Sequence, residues 1–162
     1  MSAIVESVKG NGGSFPAGIA VIIPAFDPDE RLVEMIRRLC SMGAKDIIVM
    51  NDGSCENCMR RFSLVEKQFG VVVLSHPLNR GKGAALKTGM RYLLTNIPEV
   101  IGCVTADADG QHTPDDIARV ALRLKENREC LILGSREFSG KKVPWKSCAG
   151  NKITSVVFRL QT

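Results

Sequence analysis

The segment Ile19-Ala20-Val21-Ile22-Ile23-Pro24-Ala25-Phe26-Asp27 passes abruptly from an apolar, β-branched run into polar sequence. A short run of this composition is typical of a strand that is covered on both faces, as the strands of parallel sheets are. We therefore predict a strand over Ile19–Ile23. Four later runs share the pattern and are also predicted to be strands: Asp46–Met50, Val71–Leu74, Val100–Thr105 and Cys130–Leu133.

Amphipathic segments lie between these runs, with apolar residues at helical spacing. The fourth segment has the clearest start, because Thr113 suits the N-cap and Pro114 suits the first helical position. Asp115 and Asp116 would then lie at the positive end of the helix dipole. Strict alternation of strands and helices predicts an α/β fold, a mostly parallel open sheet flanked by helices.

The chain has the length of one ordinary domain, with 162 residues of which 44% are hydrophobic. Residues 1–17 are rich in Gly, Ser and Asn and are interpreted as a flexible leader, so the domain is expected to span residues 18–162. An amphipathic pattern from Ile153 to Leu160 runs into the last residues. A domain seldom stops inside such a pattern, so we expect the C-terminal part to be incomplete.

Charge and hydropathy exclude some function classes. The net charge is +5, but the cations are scattered and aromatic residues make up 5% of the chain, which argues against nucleic-acid binding. The N-terminal residues lack the apolar region of a signal peptide, and no run approaches the roughly 18 apolar residues that a membrane span needs. A cytoplasmic protein is expected, with membrane association through the missing C-terminal part or a lipid acceptor as the alternative.

The six cysteines are expected to be mostly free thiols, because Cys103 and Cys130 fall in apolar runs. Cys55 and Cys58 form one C-x-x-C pair without a second pair at zinc-site spacing. Surface cysteines at the start of a helix are the simpler interpretation. Structural zinc and a redox pair are the alternatives.

Each predicted strand ends in a polar segment. In open α/β sheets, ligands bind outside the carboxyl ends of the strands, so these segments are expected to form one site. The segments are Pro24-Ala25-Phe26-Asp27, Asn51-Asp52-Gly53-Ser54, Asn79-Arg80-Gly81-Lys82-Gly83, Asp107-Ala108-Asp109-Gly110-Gln111-His112 and Gly134-Ser135-Arg136.

Asp107 and Asp109 are two residues apart, a spacing that places both carboxylates on one side of extended backbone. They could share Mg²⁺ or Mn²⁺, since hard cations take oxygen ligands and complete their shell with phosphates and water. The alternative is a pair of turn acids that lead into the helix cap at Thr113.

Other polar residues have both a binding and a structural interpretation. Lys82, in a glycine-rich segment before a helix, could attract an anion or could be an ordinary solvated lysine. Asp52 could hold a base or ribose, or only stabilise a turn. Arg136 could pair with phosphate or with a surface acid. His112 is expected to be a structural hydrogen-bonding residue.

The five segments, in this order, resemble those of family 2 glycosyltransferases, and specifically the dolichyl-phosphate mannose synthase-like branch. The resemblance runs from about residue 19 to the end of the chain. It implies a GT-A fold, a GDP- or UDP-linked sugar donor, inverting transfer assisted by Mg²⁺ or Mn²⁺, and a polyprenyl phosphate acceptor at a membrane surface.

The resemblance also assigns residues by position. Pro24, Ala25 and Phe26 would line the nucleotide pocket, Asp52 would hold the base, and Lys82 would lie near the donor. Asp107 would contact ribose or metal, Asp109 would be the principal metal ligand with Gln111 nearby, and Arg136 would reach a phosphate.

Two positions depart from the family pattern. Relatives usually carry Asn where this chain has Asp27, followed by a Glu for which Glu30 is our choice, and they commonly carry Arg where this chain has Cys148. Other functions stay open: transfer to a saccharide hydroxyl, a nucleotide-binding module without transfer activity, and a nucleotidyltransferase. The last would carry its glycine-rich loop after the first strand, where this chain has Pro24–Asp27.

Overall fold

Strands and helices alternate along the chain, as the sequence predicts. A computed structural model describes residues 3–6 and 14–134. The elements are β1 (Ala3–Glu6), β2 (Ile19–Ala25), α1 (Glu30–Ser41), β3 (Ile47–Asp52), a 3-10 turn (Glu56–Cys58), α2 (Met59–Phe69), β4 (Val72–His76), α3 (Lys82–Asn96), β5 (Gly102–Thr105), α4 (Pro114–Glu126) and β6 (Leu131–Gly134).

Four strands form a parallel sheet in the order β4-β3-β2-β5. The central strand β2 places Val21 opposite Ile47 of β3 and Ile22 opposite Thr105 of β5. The neighbouring pair, β3 and β4, is aligned so that Asp52 lies opposite His76. This sheet, with helices on its faces, confirms the predicted α/β fold.

The apolar residues of β2 divide between the two faces of the sheet. Val21 and Ile23 pack in the larger core with α1, α2 and α4, whereas Ala20 and Ile22 pack in a smaller core on the side of α3. Because both faces are covered, Ile22 and Ile23 are fully buried. Each such side chain contributes about 1.5–3 kcal/mol by leaving water.

Polar caps fix the starts of two helices. Thr113 accepts a hydrogen bond from the backbone N–H of Asp116 at 3.1 Å, with Pro114 in the first turn of α4, which confirms the predicted cap. At α1, the carboxylate of Asp29 accepts from the N–H of Arg31 at 2.9 Å. The Arg31 side chain also donates to this carboxylate and lowers the pKa of Asp29 to about 2.

Three strands of the sheet reach further than the sequence patterns suggest. The patterns end at Ile23, Met50 and Leu74, but β2 continues to Ala25, β3 to Asp52 and β4 to His76. Backbone pairing in the sheet continues past the last apolar residue, so polar side chains at these positions occupy strand rather than loop.

A second, two-stranded parallel sheet joins β1 to β6, with Ala3 opposite Leu131 and Glu6 opposite Gly134. Ala3–Glu6, within the predicted flexible leader of residues 1–17, thus form a strand that the sequence patterns did not indicate. The partner strand lies far away in the sequence, and short-range patterns do not reveal such pairing. The same pairing places β6 outside the four-stranded sheet that the other predicted strands form.

Among the residues that the structure describes, no helix combines the length and the apolar composition needed to cross a lipid bilayer.

Close packing between α3 and the sheet generates a stability prediction. A Cβ atom on Gly89 would lie 2.8 Å from Cγ2 of the buried Ile22, whereas one on Gly83, in the same helix, would meet nothing within 4 Å. We expect Gly89→Ala to lower the free energy of unfolding by about 1–3 kcal/mol, because the core must shift to admit the methyl group.

The matched variant Gly83→Ala should leave stability unchanged or raise it by up to about 1 kcal/mol, since alanine favours helix over glycine. Urea unfolding of both variants measures the difference. Equal stability of the two proteins would contradict the close approach of α3 to β2.

Candidate functional site

Four loops meet at the carboxyl edge of the four-stranded sheet, because parallel strands all end on the same side. They follow β2, β3, β4 and β5, and side-chain hydrogen bonds or ion pairs join each to the next. The predicted convergence of these four polar segments is therefore present in the structure.

Asp27 joins the loop after β2 to the loop after β3. Its backbone N–H donates to Oγ of Ser54 at 2.9 Å, and its Oδ1 accepts from the N–H of Cys55 at 2.7 Å. The hydrogen bond from the Cys55 amide lowers the pKa of Asp27, so the carboxylate is ionised at neutral pH.

Asp52, at the end of β3, is a buried carboxylate with 3% of its surface exposed. Its Oδ1 lies 2.6 Å from Nδ1 of His76 and accepts from the N–H of Arg80 at 3.0 Å. Nε2 of His76 lies 3.0 Å from the Thr88 hydroxyl on α3. Asp52 thus connects β3, β4 and the loop that leads into α3.

Burial by itself would raise the pKa of Asp52. The hydrogen bonds from His76 and from the backbone amides of Arg80 and Gly81 act in the opposite direction and outweigh it, so the pKa is lowered. An ionised carboxylate is stable in this buried place only because these donors satisfy it.

Gly53 allows the loops after β3 and β4 to touch. Its φ is +75°, and a Cβ atom there would lie 2.4 Å from the backbone nitrogen of Asn79. No side chain fits in that space, which explains the glycine of the Asn51-Asp52-Gly53-Ser54 segment. The close contact holds Asp52 beside the turn that precedes Lys82.

Lys82 joins the loop after β4 to the loop after β5. Its Nζ lies 2.5 Å from Oδ1 of Asp107, and the lysine side chain is 58% exposed. On the other side, the backbone N–H of Asp107 donates to Nδ1 of His112 at 3.0 Å. His112 therefore has the structural hydrogen-bonding role predicted for it.

Asp109 is held by Gln111 within the loop after β5. The Gln111 backbone N–H donates to Oδ1 at 3.0 Å, and its side-chain amide donates to Oδ2 at 2.6 Å. The backbone hydrogen bond is the main cause that lowers the pKa of Asp109, and the nearby Arg31 guanidinium adds to it. Gly110 packs against Arg31, since a Cβ atom there would lie 3.2 Å from its Cδ.

The residues predicted to line the nucleotide pocket lie at the end of β2 and just beyond it. Pro24 is partly buried and Ala25 is buried in the strand, whereas Phe26 is 54% exposed directly after it. Glu30, the first residue of α1, pairs with Arg61 of α2 at 3.0 Å. Arg136, predicted to reach a phosphate, lies outside the described residues, as does Cys148.

The sequence patterns did not indicate a role for His76 or Arg31. His76 could have been found by register, because residues at the ends of adjacent parallel strands are lateral neighbours and the histidine directly follows an apolar run. Arg31 gave no signal, because its contact with the loop after β5 joins segments far apart in sequence.

The oxygen donors at this edge fit a hard divalent cation. Asp107 already holds a cationic group, the Lys82 ammonium, and Asp109 carries a lowered pKa that keeps it ionised. Two carboxylates leave most of a six-coordinate shell to phosphate and water, as is usual for Mg²⁺. The helix that begins at Lys82 directs its positive end to the same place.

Comparison with known proteins identifies the family of the chain. The chain matches the family described as Glycosyl transferase family 2 over residues 20–155. It is 39% identical over 118 residues to an uncharacterized protein of Methanocaldococcus jannaschii, an alignment that covers 73% of this chain and 46% of that protein.

Two named relatives are more distant. A UDP-N-acetylglucosamine–dolichyl-phosphate N-acetylglucosaminyltransferase of Methanococcus voltae is 29% identical over 151 residues, covering 82% of this chain and 59% of that protein. A dolichyl-phosphate beta-glucosyltransferase of Trichomonas vaginalis is 27% identical over 139 residues, covering 76% and 41%. The chain spans about half the length of the curated relatives it matches.

The Asp52–His76 contact generates a prediction for stability. His76→Ala removes the main side-chain donor to a buried carboxylate, so we expect the free energy of unfolding to fall by about 1–3 kcal/mol. Thr88→Val removes only the outer hydrogen bond of the same network and should cost about 0.5–1.5 kcal/mol. Urea unfolding at neutral pH checks both values. A larger loss in Thr88→Val than in His76→Ala would contradict this order.

Proposed function

Because the chain belongs to glycosyl transferase family 2, we propose that it transfers a sugar from a nucleoside-diphosphate sugar to a polyprenyl phosphate, with inversion at the anomeric carbon. The main support is the ion pair between Lys82 and Asp107, which brings the loops after β4 and β5 together at the carboxyl edge of the sheet. The names of the two dolichyl-phosphate transferases support the choice of acceptor.

In this proposal the donor's nucleotide lies across the ends of β2 and β3. Phe26 exposes an apolar side chain beside these strand ends. Asp52 stabilises the turn that precedes α3 by accepting a hydrogen bond from the N–H of Arg80. The carboxylate of Asp52 is buried against His76. We therefore propose that Asp52 positions the loop that contains Arg80. Direct contact between Asp52 and the base stays a prediction.

Lys82 is proposed to bind the donor diphosphate. It is the first residue of α3, where the helix dipole already favours an anion, and its side chain is largely exposed. If Asp107 held a divalent cation, the Lys82 ammonium would be free to turn toward phosphate oxygens. Its charge then stabilises the departing nucleoside diphosphate.

Asp107 and Asp109 are proposed to hold Mg²⁺ or Mn²⁺. The bound ion would neutralise charge on the leaving diphosphate. Gln111 orients the Asp109 carboxylate through two hydrogen bonds, and a direct role of Gln111 as a ligand stays a prediction.

The proposed reaction is a single in-line displacement. An acceptor phosphate oxygen forms a bond to the anomeric carbon, while the bond from that carbon to the diphosphate oxygen breaks and its electron pair leaves with the nucleoside diphosphate. A phosphate oxygen is already anionic, so no strong base is required. Arg136, the residue proposed to contact this phosphate, lies outside the described residues.

Metal-bridged donor binding predicts a defined effect of Asp109→Asn. The substitution removes one carboxylate charge but keeps the shape of the side chain. Mn²⁺ should therefore no longer strengthen the binding of UDP- or GDP-linked sugars. The expected loss is at least about tenfold in donor affinity in the presence of metal. Calorimetric titration of donors with Mn²⁺ and with EDTA measures it.

Asp115→Asn is the matched control, because Asp115 lies in the first turn of α4 and faces Arg38 at 3.9 Å rather than the carboxyl-edge loops. Its donor affinity should equal that of the unsubstituted protein. Metal-dependent donor binding that survives in Asp109→Asn would argue strongly against the proposed ion site.

The acceptor class is tested by comparing dolichyl phosphate with dolichol and with a free saccharide in a transfer assay. We expect transfer to the phosphate alone, since the proposed chemistry relies on an oxygen that is already charged. Transfer to the saccharide hydroxyl would replace this acceptor assignment. Donor binding without transfer to any of the three would favour a binding module.

A further inference from the structure

Asp27, Cys55 and Cys58 form a cluster that the proposed transfer reaction does not use. One carboxylate oxygen and the two Sγ atoms all lie within 4.8 Å of one another. The two sulfur atoms are 3.5 Å apart. The cluster therefore brings together three groups that bind metal ions, two from one C-x-x-C pair and one from a different loop.

The local fold builds this cluster from two loops. The 3-10 turn Glu56–Cys58 folds the chain so that Cys58 comes back beside Cys55, and Cys58 is 7% exposed against the larger core. Asp27 comes from the loop after β2, and its Oδ1 accepts the Cys55 N–H. This hydrogen bond fixes the carboxylate next to both thiols.

Asp27 has an unusual backbone conformation. Within residues 3–6 and 14–134 it is the one residue other than glycine with a positive φ, at +45°. Such a conformation costs free energy for an L-residue, and aspartate tolerates it better than most because its side chain bonds locally. In this conformation the carboxylate lies beside the cysteine pair.

We propose that Asp27, Cys55 and Cys58 bind a thiophilic divalent cation of the Zn²⁺ type. Zinc binds cysteine sulfur at about 2.3 Å in tetrahedral geometry, which places two sulfur ligands about 3.8 Å apart. The observed 3.5 Å separation needs only a small adjustment to reach that value. A carboxylate oxygen as third ligand leaves the fourth position to water or another ligand.

Charge also favours a cation here. The cluster holds one carboxylate, whose Oδ1 accepts the Cys55 N–H, beside two free thiols. Both thiols must release their protons to solvent when a metal binds. The divalent charge then compensates groups that would otherwise repel one another.

This ion is chemically distinct from the one proposed at Asp107 and Asp109. Sulfur ligands select zinc-like metals, whereas carboxylate and phosphate oxygens select Mg²⁺ or Mn²⁺. The two sites also use different loops. A zinc-type ion would tie the loop after β2 to the loop after β3, immediately beside Phe26 and Asp52.

Titration of the metal-free, reduced protein with Co²⁺ tests the proposal, because a tetrahedral site with thiolate ligands gives intense visible bands and thiolate-to-cobalt charge transfer. We expect saturation at one equivalent and displacement of Co²⁺ by Zn²⁺ but not by Mg²⁺. Cys55→Ser, Cys58→Ser and Asp27→Asn should each weaken binding at least about tenfold. Circular dichroism verifies that each variant is folded.

Cys40→Ser is the control, since Cys40 is a partly buried thiol of α1 outside the cluster. It should bind Co²⁺ like the unsubstituted protein. Equal binding by all variants would overturn the proposal, as would reduced protein that binds neither Co²⁺ nor Zn²⁺. A disulfide between Cys55 and Cys58 in protein purified without reductant, combined with no metal binding after reduction, would identify a redox pair instead.

Discussion

Backbone hydrogen bonds from β2 to β3 on one side and to β5 on the other set the position of every residue at the site. Because the strands are parallel and buried on both faces, their apolar residues permit one register, and all four carboxyl ends emerge at one edge. The loops at that edge start from fixed points. Their polar side chains can therefore meet, although Asp107 follows Asp27 by 80 positions in the chain.

Hydrogen bonds and ion pairs also join the loops that the sheet brings together at its carboxyl edge. Asp52 is the central group, since its buried carboxylate accepts from His76 on β4 and from the amide that precedes α3. Lys82, two residues after Arg80, forms an ion pair with Asp107. The Arg31 side chain packs against Gly110. The loops support one another through donors and acceptors that need a partner once they leave water. These contacts hold the loops of the carboxyl edge together.

The two proposed cation sites lie on neighbouring loops of this edge. Asp107 and Asp109 present oxygen donors in a partly exposed loop, beside a lysine that already pairs with one of them. Asp27 and the two cysteines present sulfur and oxygen donors, with one thiol buried against the core. The hard set suits an ion that arrives with a phosphorylated substrate, and the soft set suits an ion that stays with the protein.

The amino-acid sequence alone predicts the α/β class, the positions of the helices, the Thr113 cap and the convergence of four polar segments, because periodicity and capping depend on residues close together in the chain. It does not predict strand β1, the separate pairing of β6, or His76 beside Asp52. It also does not indicate that Asp27 lies beside Cys55 and Cys58. These features emerge only in the folded protein, since each depends on which distant segments the packed sheet brings within hydrogen-bond distance.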